Sequence, residues 1–419
     1  MAARRSGLGW RFHTLWAATA SANLADGVVL VALPLIALRF TNEPALVAGV
    51  RVAGTLPWLV FGLFAGVILD RLDRRKLMVG VTSLRGLALG AAAVVVTFFG
   101  TDIVILYATA LAVGTASTLY DTGTQTLVPG LVTQDDLMRA NGRVMSTQVV
   151  LMEFVGSPLG GALVAVSTFA ALGAPGLMYV IAGLLLLRIS GQHRAQSTDG
   201  GKAPPRSVLA DIKTGLVELV REPTLRRLAV YASVLNLTES AFMSVFVIYA
   251  VGRTAPLRLS EADYGLLLAG AAVGSVAGAI LAARLIAALL PALVLSAAAV
   301  LLAGSFALPV ATSSPVVIGV GIGLAGFAIA VANVLMVTVR QSVVATGILG
   351  RVTAGTRLLV FGTIPFGAAF GGLMVKLIGI ERLFLTLAIA AVGLVAVTAT
   401  IRIPALRQSG TTPPGHYRS

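Results

Sequence analysis

Apolar runs of about 20 residues recur along this chain from one end to the other, and that recurrence decides most of what it can fold into. They lie at about 14–38, 45–69, 77–99, 102–126, 143–166, 168–188, 227–251, 263–283, 287–308, 315–339, 352–376 and 383–402. Each run is long enough to cross the hydrocarbon core of a bilayer as a helix. Within lipid, a spanning segment must satisfy its own backbone polar groups, which a helix does. The prediction is an all-α polytopic membrane protein with twelve transmembrane helices. Of the 419 residues, 57% are apolar and only 11% are charged. A soluble domain carries roughly 25%, so a soluble or secreted protein is excluded. The 46 Gly allow close helix–helix contact.

Several chemistries are absent. With no Cys, disulfides, thiolate metal sites and cysteine nucleophiles are ruled out. The three His, His13, His193 and His416, fall in predicted loops or tails, so no metal site and no histidine relay is expected within the membrane. No phosphate-binding G-x-x-x-x-G-K-[ST] sequence occurs. No cofactor is expected. The net charge of +14 is distributed by side. With the N-terminus inside, Arg39, Arg51, Arg253, Arg258, Lys376 and Arg382 are outer and Arg85 is within a span, leaving 24 of the 31 basic residues inside. This is the positive-inside asymmetry. It predicts a multi-pass protein of the plasma (inner) membrane with both termini cytoplasmic, and it makes nucleic acid an unneeded partner.

The one sizeable polar segment divides the spans six and six. It predicts an N-terminal half at 1–188, a cytoplasmic linker at 189–225, and a C-terminal half with its tail at 226–419. Ser190 to Arg206 is rich in Gly, Ser, Gln and Pro and is expected to be mobile. Ser207 to Glu222 sets Val208, Ile212, Leu216 and Leu219 at helical spacing, predicting an amphipathic helix at the inner interface.

The halves repeat each other. Asn23-Leu24-Ala25-Asp26 of the first span matches Asn236-Leu237-Thr238-Glu239 of the seventh. Gly142-Arg143-Val144 opens the fifth and Gly350-Arg351-Val352 the eleventh. Pro158 with Gly160 and Gly161 is matched by Pro365 with Gly371 and Gly372, with Arg357 earlier in the same second-half span. Two parallel six-helix repeats are the architecture of a rocking transporter, with its site between the halves near the midplane.

Gly66-Val67-Ile68-Leu69-Asp70-Arg71-Leu72-Asp73-Arg74-Arg75-Lys76 resembles the loop motif of the major facilitator superfamily, G-x-L-a-D-R-x-G-R-R-x. Asp73 stands where Gly is usual, a variant similar to the macrolide-efflux and siderophore-exporter branch. Gly156-Ser157-Pro158-Leu159-Gly160-Gly161 is similar to the antiporter motif G-P-x-x-G-G, with Pro displaced by one. The segment Asp211 to Leu228 resembles that branch's middle linker. The resemblance spans essentially the whole chain. It implies the major facilitator fold in two pseudo-symmetric halves and a conformational latch of Gly66, Asp70, Arg71, Arg74 and Arg75. In that latch, Asp70 contacts helix eleven and Arg74 an acid at the inner end of helix four, where Asp121 sits. The equivalent second-half loop at Arg284 lacks the acid. Gly156, Pro158, Gly160 and Gly161 are then hinge and close-approach positions.

The acids within spans are Asp26, Asp121, Glu153 and Glu239. A carboxylate in hydrocarbon is costly, so each is expected to face the bundle interior, a partner or water. Asp26 lies near the middle of its span and Glu239 is its repeat mate. The expected proton-coupling and cavity set is therefore Asp26, Glu239, Glu153, Asn23 and Asn236. The plainer reading is a structural ion pair with Arg85 or Arg357. Trp16, Trp58, Phe61, Phe242, Phe246, Tyr249 and Phe361 are mostly expected to pack against helices or lipid.

The resulting expectation is a secondary active transporter working as a monomer. It would be a proton-coupled exporter of small amphipathic compounds, drugs or siderophore-like metabolites, by alternating access. A metabolite uniporter and a non-transporting sensor on the same fold are the alternatives. Asp70-Arg71-Leu72-Asp73 looks superficially like a D-x-x-D metal site, but the second half offers no partner cluster, so an enzyme is not expected.

Overall fold

The computed structural model describes residues 8–61, 73–100, 102–189, 208–252 and 255–401. Among the described residues, twelve helices are long and apolar enough to cross a membrane. They are α1 (Trp10–Ala37), α2 (Pro44–Phe61), α3 (Arg74–Phe98), α4 (Ile103–Gly130), α5 (Gln134–Val166) and α6 (Thr168–Leu187) in the first half. The second half has α7 (Pro223–Ala250), α8 (Glu261–Ala288), α9 (Pro291–Ala311), α10 (Pro315–Val343), α11 (Ile348–Ile378) and α12 (Ile380–Ala399). Each predicted run corresponds to one helix. The helices begin up to about two turns earlier where a polar cap extends them beyond the apolar run. Asp73 accepts from Lys76 N–H (3.0 Å), Asp102 from Val104 N–H (3.0 Å) and Ser167 from Ala170 N–H (3.0 Å). Glu222 and Pro223 open α7, with Pro at a first-turn position that needs no donor. Gly379, at φ 85°, makes the tight turn from α11 to α12 that an L side chain would resist. Asp73, the residue that departs from the resembling motif, is thus the N-cap of α3.

The packing of one half recurs in the other. α3 packs on α6 and α4, α6 on α1, α2 on α4, and α1 on α5. In the second half α9 packs on α12 and α10, α12 on α7, α8 on α10, and α7 on α11. Adding six to each label in the first set gives the second. The halves meet along two seams, α2 with α11 and α5 with α8, and the same addition exchanges these seams.

Two faces can be told apart by what seals them. On one, called here the linker face, the helix Val208–Arg221 is docked on α11. A Cβ on Gly215 would lie 2.0 Å from the Arg351 carbonyl oxygen, so the two backbones touch. Leu219 is buried there with Leu225, Ala229, Val344 and Val352. Leu219 of the amphipathic pattern is therefore spent on the second half of the bundle. The stretch 190–206 lies outside the described residues.

The opposite, far face closes both seams. Arg39, just beyond α1, donates to the Val164 carbonyl at 2.6 Å and to Thr168 Oγ1 at 3.0 Å, and pairs with Glu261 of α8 at 3.1 Å. Glu43, just before α2, pairs with Lys376 of α11 at 3.8 Å. Each seam thus has one acid met by a base from the other half. Both pairs are well exposed, so each adds little to stability on its own. The backbone approaches beneath them matter more.

Candidate functional site

A cavity of about 600 Å³ lies between the halves, walled by α1, α2, α4 and α5 on one side and α7, α8, α9 and α10 on the other. That is large enough for a small organic molecule. Asn23, Asp26, Asp121, Glu153, Asn236 and Glu239 all line it. The sequence had grouped Asn23, Asp26, Glu153, Asn236 and Glu239 as a cavity set from repeat symmetry and depth in their spans, and had given Asp121 to the latch.

Asp26, on α1, is held from three other helices of the same half. Arg85 Nη1 of α3 lies 3.5 Å from its Oδ2, Tyr179 of α6 donates to Oδ1 at 2.6 Å, and Ser117 of α4 donates to Oδ1 at 3.3 Å. The Arg85 side chain is 0% exposed. Its guanidinium lies 5.0 Å from the centroids of both the Tyr120 and Tyr179 rings, an arrangement that stabilises a cation. Asp121 is near enough to act electrostatically on both Arg85 and Asp26. Of the plainer pairings, that with Arg85 is the one formed.

Glu239 is held differently. Its Oε2 lies 3.6 Å from Arg51 Nη2, and Arg51 belongs to α2 of the other half. Arg51 Nε also donates to Ser240 Oγ at 3.3 Å, and Ser240 in turn donates to the Ile364 carbonyl at 2.8 Å. Arg51 was placed in an outer loop on sequence. It is instead inside α2, on the cavity wall, and joins α2, α7 and α11. Arg357, the other candidate mate, is exposed on α11 and acts electrostatically on Arg340. Glu153 faces Glu239 across the α5–α7 gap closely enough to interact electrostatically. Asn236 Nδ2 donates to the Ala232 carbonyl at 2.8 Å.

Glu153 sits in a π-helical turn, Val149–Val155. Pro158 gives a local cause, because its ring has no N–H and crowds the carbonyl four residues earlier, at Phe154. A widened turn relieves that clash, and such turns concentrate at functional positions. The glycines after it divide their work. A Cβ on Gly156 would lie 2.7 Å from Gly27 Cα, and one on Gly160 2.8 Å from the Val28 carbonyl, both contacts with α1 of the same half. A Cβ on Gly161 would lie 2.2 Å from the Glu261 carbonyl of α8, across the seam. The second half repeats the division. A Cβ on Gly371 would lie 2.4 Å from the Ala241 carbonyl of α7, and one on Gly372 2.7 Å from Ala48 Cβ of α2. Pro365 lies within α11, which stays helical through it.

This division gives a direct expectation. Gly161→Val must part α5 from α8, because real Cβ contacts are never as short as 2.2 Å. With Val47→Cys introduced as a reporter in the cavity wall, where Val47 is 1% exposed, labelling from the far face should rise several-fold. Gly160→Val should lower abundance and leave labelling unchanged. Equal labelling in the two variants would mean that Gly161 does not hold the seam.

Of the latch expected from the resemblance, Gly66, Asp70 and Arg71 lie outside the described residues. Arg74 donates to the Thr126 carbonyl at 3.2 Å, and Arg75 to the carbonyls of Leu186 and Leu187. Both cations therefore meet helix C-terminal ends of their own half, where the helix dipole favours them. Asp121 lies more than a turn away from Thr126 along α4, in the cavity wall beside Asp26 and Arg85. The expected partner of Arg74 is thus part of the cavity. Trp58 also lines the cavity, 6.5 Å from Phe361 between ring centroids. Phe242 lines it too, packed on Phe246, Phe306 and Phe384. Sequence reasoning did not find Tyr120, Tyr179 and Ser117, whose spacing carries no signal because their shared target comes from another helix.

Comparisons with known proteins agree with the fold. A family model described as transmembrane secretion effector matches residues 9–417. The multidrug efflux pump Tap of Mycolicibacterium fortuitum is 28% identical over 403 residues, covering 93% of this chain and 95% of the relative. Macrolide efflux protein A of Streptococcus pyogenes is 27% identical over 154 residues, covering 36% of this chain and 37% of the relative. The solved structure of the nucleoside transporter NupG superposes with a TM-score of 0.74 at 14% identity, covering 94% of this chain and all of that one.

Proposed function

We propose, for a chain that belongs to the transmembrane secretion effector family of major facilitator transporters, that it exports small amphipathic compounds in exchange for protons. It is a membrane transporter, and its relatives are transporters rather than enzymes. The observation that carries the finer reading is the cavity walled by both halves, with carboxyls at membrane depth on either side of it. The full-length similarity to a multidrug efflux pump favours export over uptake.

The asymmetry of basic residues supports a cytoplasmic linker face, in a protein of the plasma membrane. The far face, closed by Arg39–Glu261, Lys376–Glu43 and the Gly161 and Gly372 approaches, is then the outer side. Alternating access follows if the two halves rock about the cavity, opening these seams and closing the linker face.

The partners of the two repeat-mate acids assign them different work. Asp26 and Arg85 belong to one half, so breaking that pair does not loosen the seam. Glu239 and Arg51 belong to opposite halves, so a proton taken up by Glu239 removes an attraction across the α2–α7 contact. In the state with the outer side closed, Glu239 has released its proton inward and holds Arg51. Proton uptake from the outer side, in the other state, would set the pair free for the return.

The test is accumulation of a panel of amphipathic drugs in cells with and without the protein, each with the proton gradient intact or collapsed. The expected result is several-fold lower accumulation that depends on both the protein and the gradient. Accumulation unaffected by the protein across the panel would favour a sensor, and export indifferent to the gradient would remove the protons.

A further inference from the structure

We infer that the cavity selects an amphipathic organic cation over an anion of the same shape, and that Glu153 is its counter-charge. The inference rests on the reading of this cavity as the transport site and adds what that site recognises.

The charge around the cavity is one-sided. Asp26, Asp121, Glu153 and Glu239 line it, against Arg51, with Arg85 behind Asp26. Four carboxyls thus face two guanidinium groups, and both guanidinium groups are already engaged. Arg85 is committed to Asp26, and Arg51 to Glu239 and Ser240. Glu153 makes no hydrogen bond or ion pair among the described residues, and the charge that acts on it electrostatically is the like charge of Glu239. A carboxylate at membrane depth without a partner is costly, and a bound cation supplies that partner. An anion would meet the four carboxyls with no uncommitted base among the described lining residues to receive it.

Two further features fit an amphipathic cation. Trp58 and Phe242 present aromatic surface to the cavity, which favours both apolar bodies and cationic groups. Asn23 lines the same cavity, is 3% exposed, and its Nδ2 has no hydrogen-bond partner among the described residues. A buried amide donor left unpaired is costly, so an acceptor oxygen on the ligand would be favoured there. The geometry places a cationic group at Glu153, between the halves, and a neutral acceptor toward α1.

The charge claim can be isolated with tetraphenylphosphonium and tetraphenylborate, which share shape and size and carry opposite permanent charges. Both would be measured by equilibrium dialysis against the purified full chain in neutral detergent, with protein-free micelles as the partition reference. Tetraphenylphosphonium should bind at least tenfold more tightly than tetraphenylborate. Glu153→Gln should weaken the cation at least tenfold, and Glu153→Asp should restore most of it. Equal or tighter binding of the borate would overturn the inference, as would undiminished cation binding by a folded Glu153→Gln protein. If that variant does not fold, the comparison of the two ions on the unaltered protein decides alone. Dialysis needs no gradient, so failure of proton-driven export leaves this result standing, and failure here leaves the export result standing.

Discussion

Asp26→Asn is expected to lower the amount of folded protein in the membrane severalfold or more, before transport is considered. The substitution leaves the Arg85 guanidinium fully buried beside Tyr120 and Tyr179 with its nearest anionic partner removed. Removing one member of a buried ion pair costs about 3–5 kcal/mol, because the remaining charge has lost its compensation. A typical domain has a margin of roughly 5–15 kcal/mol, so this is a large share of it. The Tyr179 and Ser117 hydroxyls that donate to Asp26 add to the loss if the amide presents its N–H₂ to them. Arg85→Met should be damaging in the same way, leaving Asp26 unpaired. The double variant Asp26→Asn with Arg85→Met should recover most of the abundance, since a buried pair replaced as a unit by neutral groups is often tolerated. Membrane-fraction immunoblots and thermal unfolding of the three variants measure this. If the single variants are as abundant as the parent, the pair is not a brace, and Asp26 returns to the coupling role that its repeat position suggests.

Repeat symmetry equated Asp26 with Glu239, and that much was legible. The twelve spans, the six-and-six division and the paired Gly-Gly positions were also legible, because apolar length and small-residue spacing are local properties of a helix. What separates the two acids is the origin of their partners. Arg85 has no counterpart in α9, Pro291–Ala311, which carries no charged residue. Glu239 therefore lacks an own-half mate at the equivalent place, and its charge is met by Arg51 from the other half. The missing charge in α9 was readable in advance as a sign that the mates would diverge. The identity of Arg51 was not. A lone Arg seven residues into an apolar run counts as a loop charge in a topology argument. Only the rotation of α2 about its axis decides that it faces the cavity.

The positions of Arg74 and Arg75 carry a similar lesson. A basic cluster beside a span predicts the inner side well, but the charges do not announce their contacts. Both side chains reach carbonyls at the ends of α4 and α6, groups that every helix end leaves available. Nothing in the identity of Thr126 or Leu186 marks them as acceptors. Backbone acceptors are invisible to motif reading for that reason.

The second large effect concerns Glu239. Glu239→Gln keeps shape and neutrality like the protonated acid, and Arg51 keeps Ser240 as a neighbour. The ion pair it removes is partly exposed, with side chains 21% and 27% accessible, so folding should change little. Coupling should change greatly, because the residue can no longer exchange its proton and the halves lose the charge-dependent contact between α2 and α7. A protein that still binds and rocks, but cannot count protons, should exchange substrate down its own gradient and do no more. Asp26→Asn and Glu239→Gln are thus expected to fail in opposite ways, one in abundance and one in coupling. Loss of exchange together with coupling in Glu239→Gln would instead place Glu239 among the residues that rocking itself requires.

The central claim is that a proton on Glu239 governs an ion pair between the halves, and proteoliposomes test it most directly. Purified parent and Glu239→Gln proteins, reconstituted at matched amounts, would be loaded with one exported compound from the cellular panel. Proton-driven movement and gradient-free exchange would then be measured side by side across a range of pH. The account predicts at least tenfold less proton-driven movement in Glu239→Gln, exchange within about twofold of the parent, and loss of the parent's pH dependence. Full proton-driven movement with unaltered pH dependence in Glu239→Gln would contradict it.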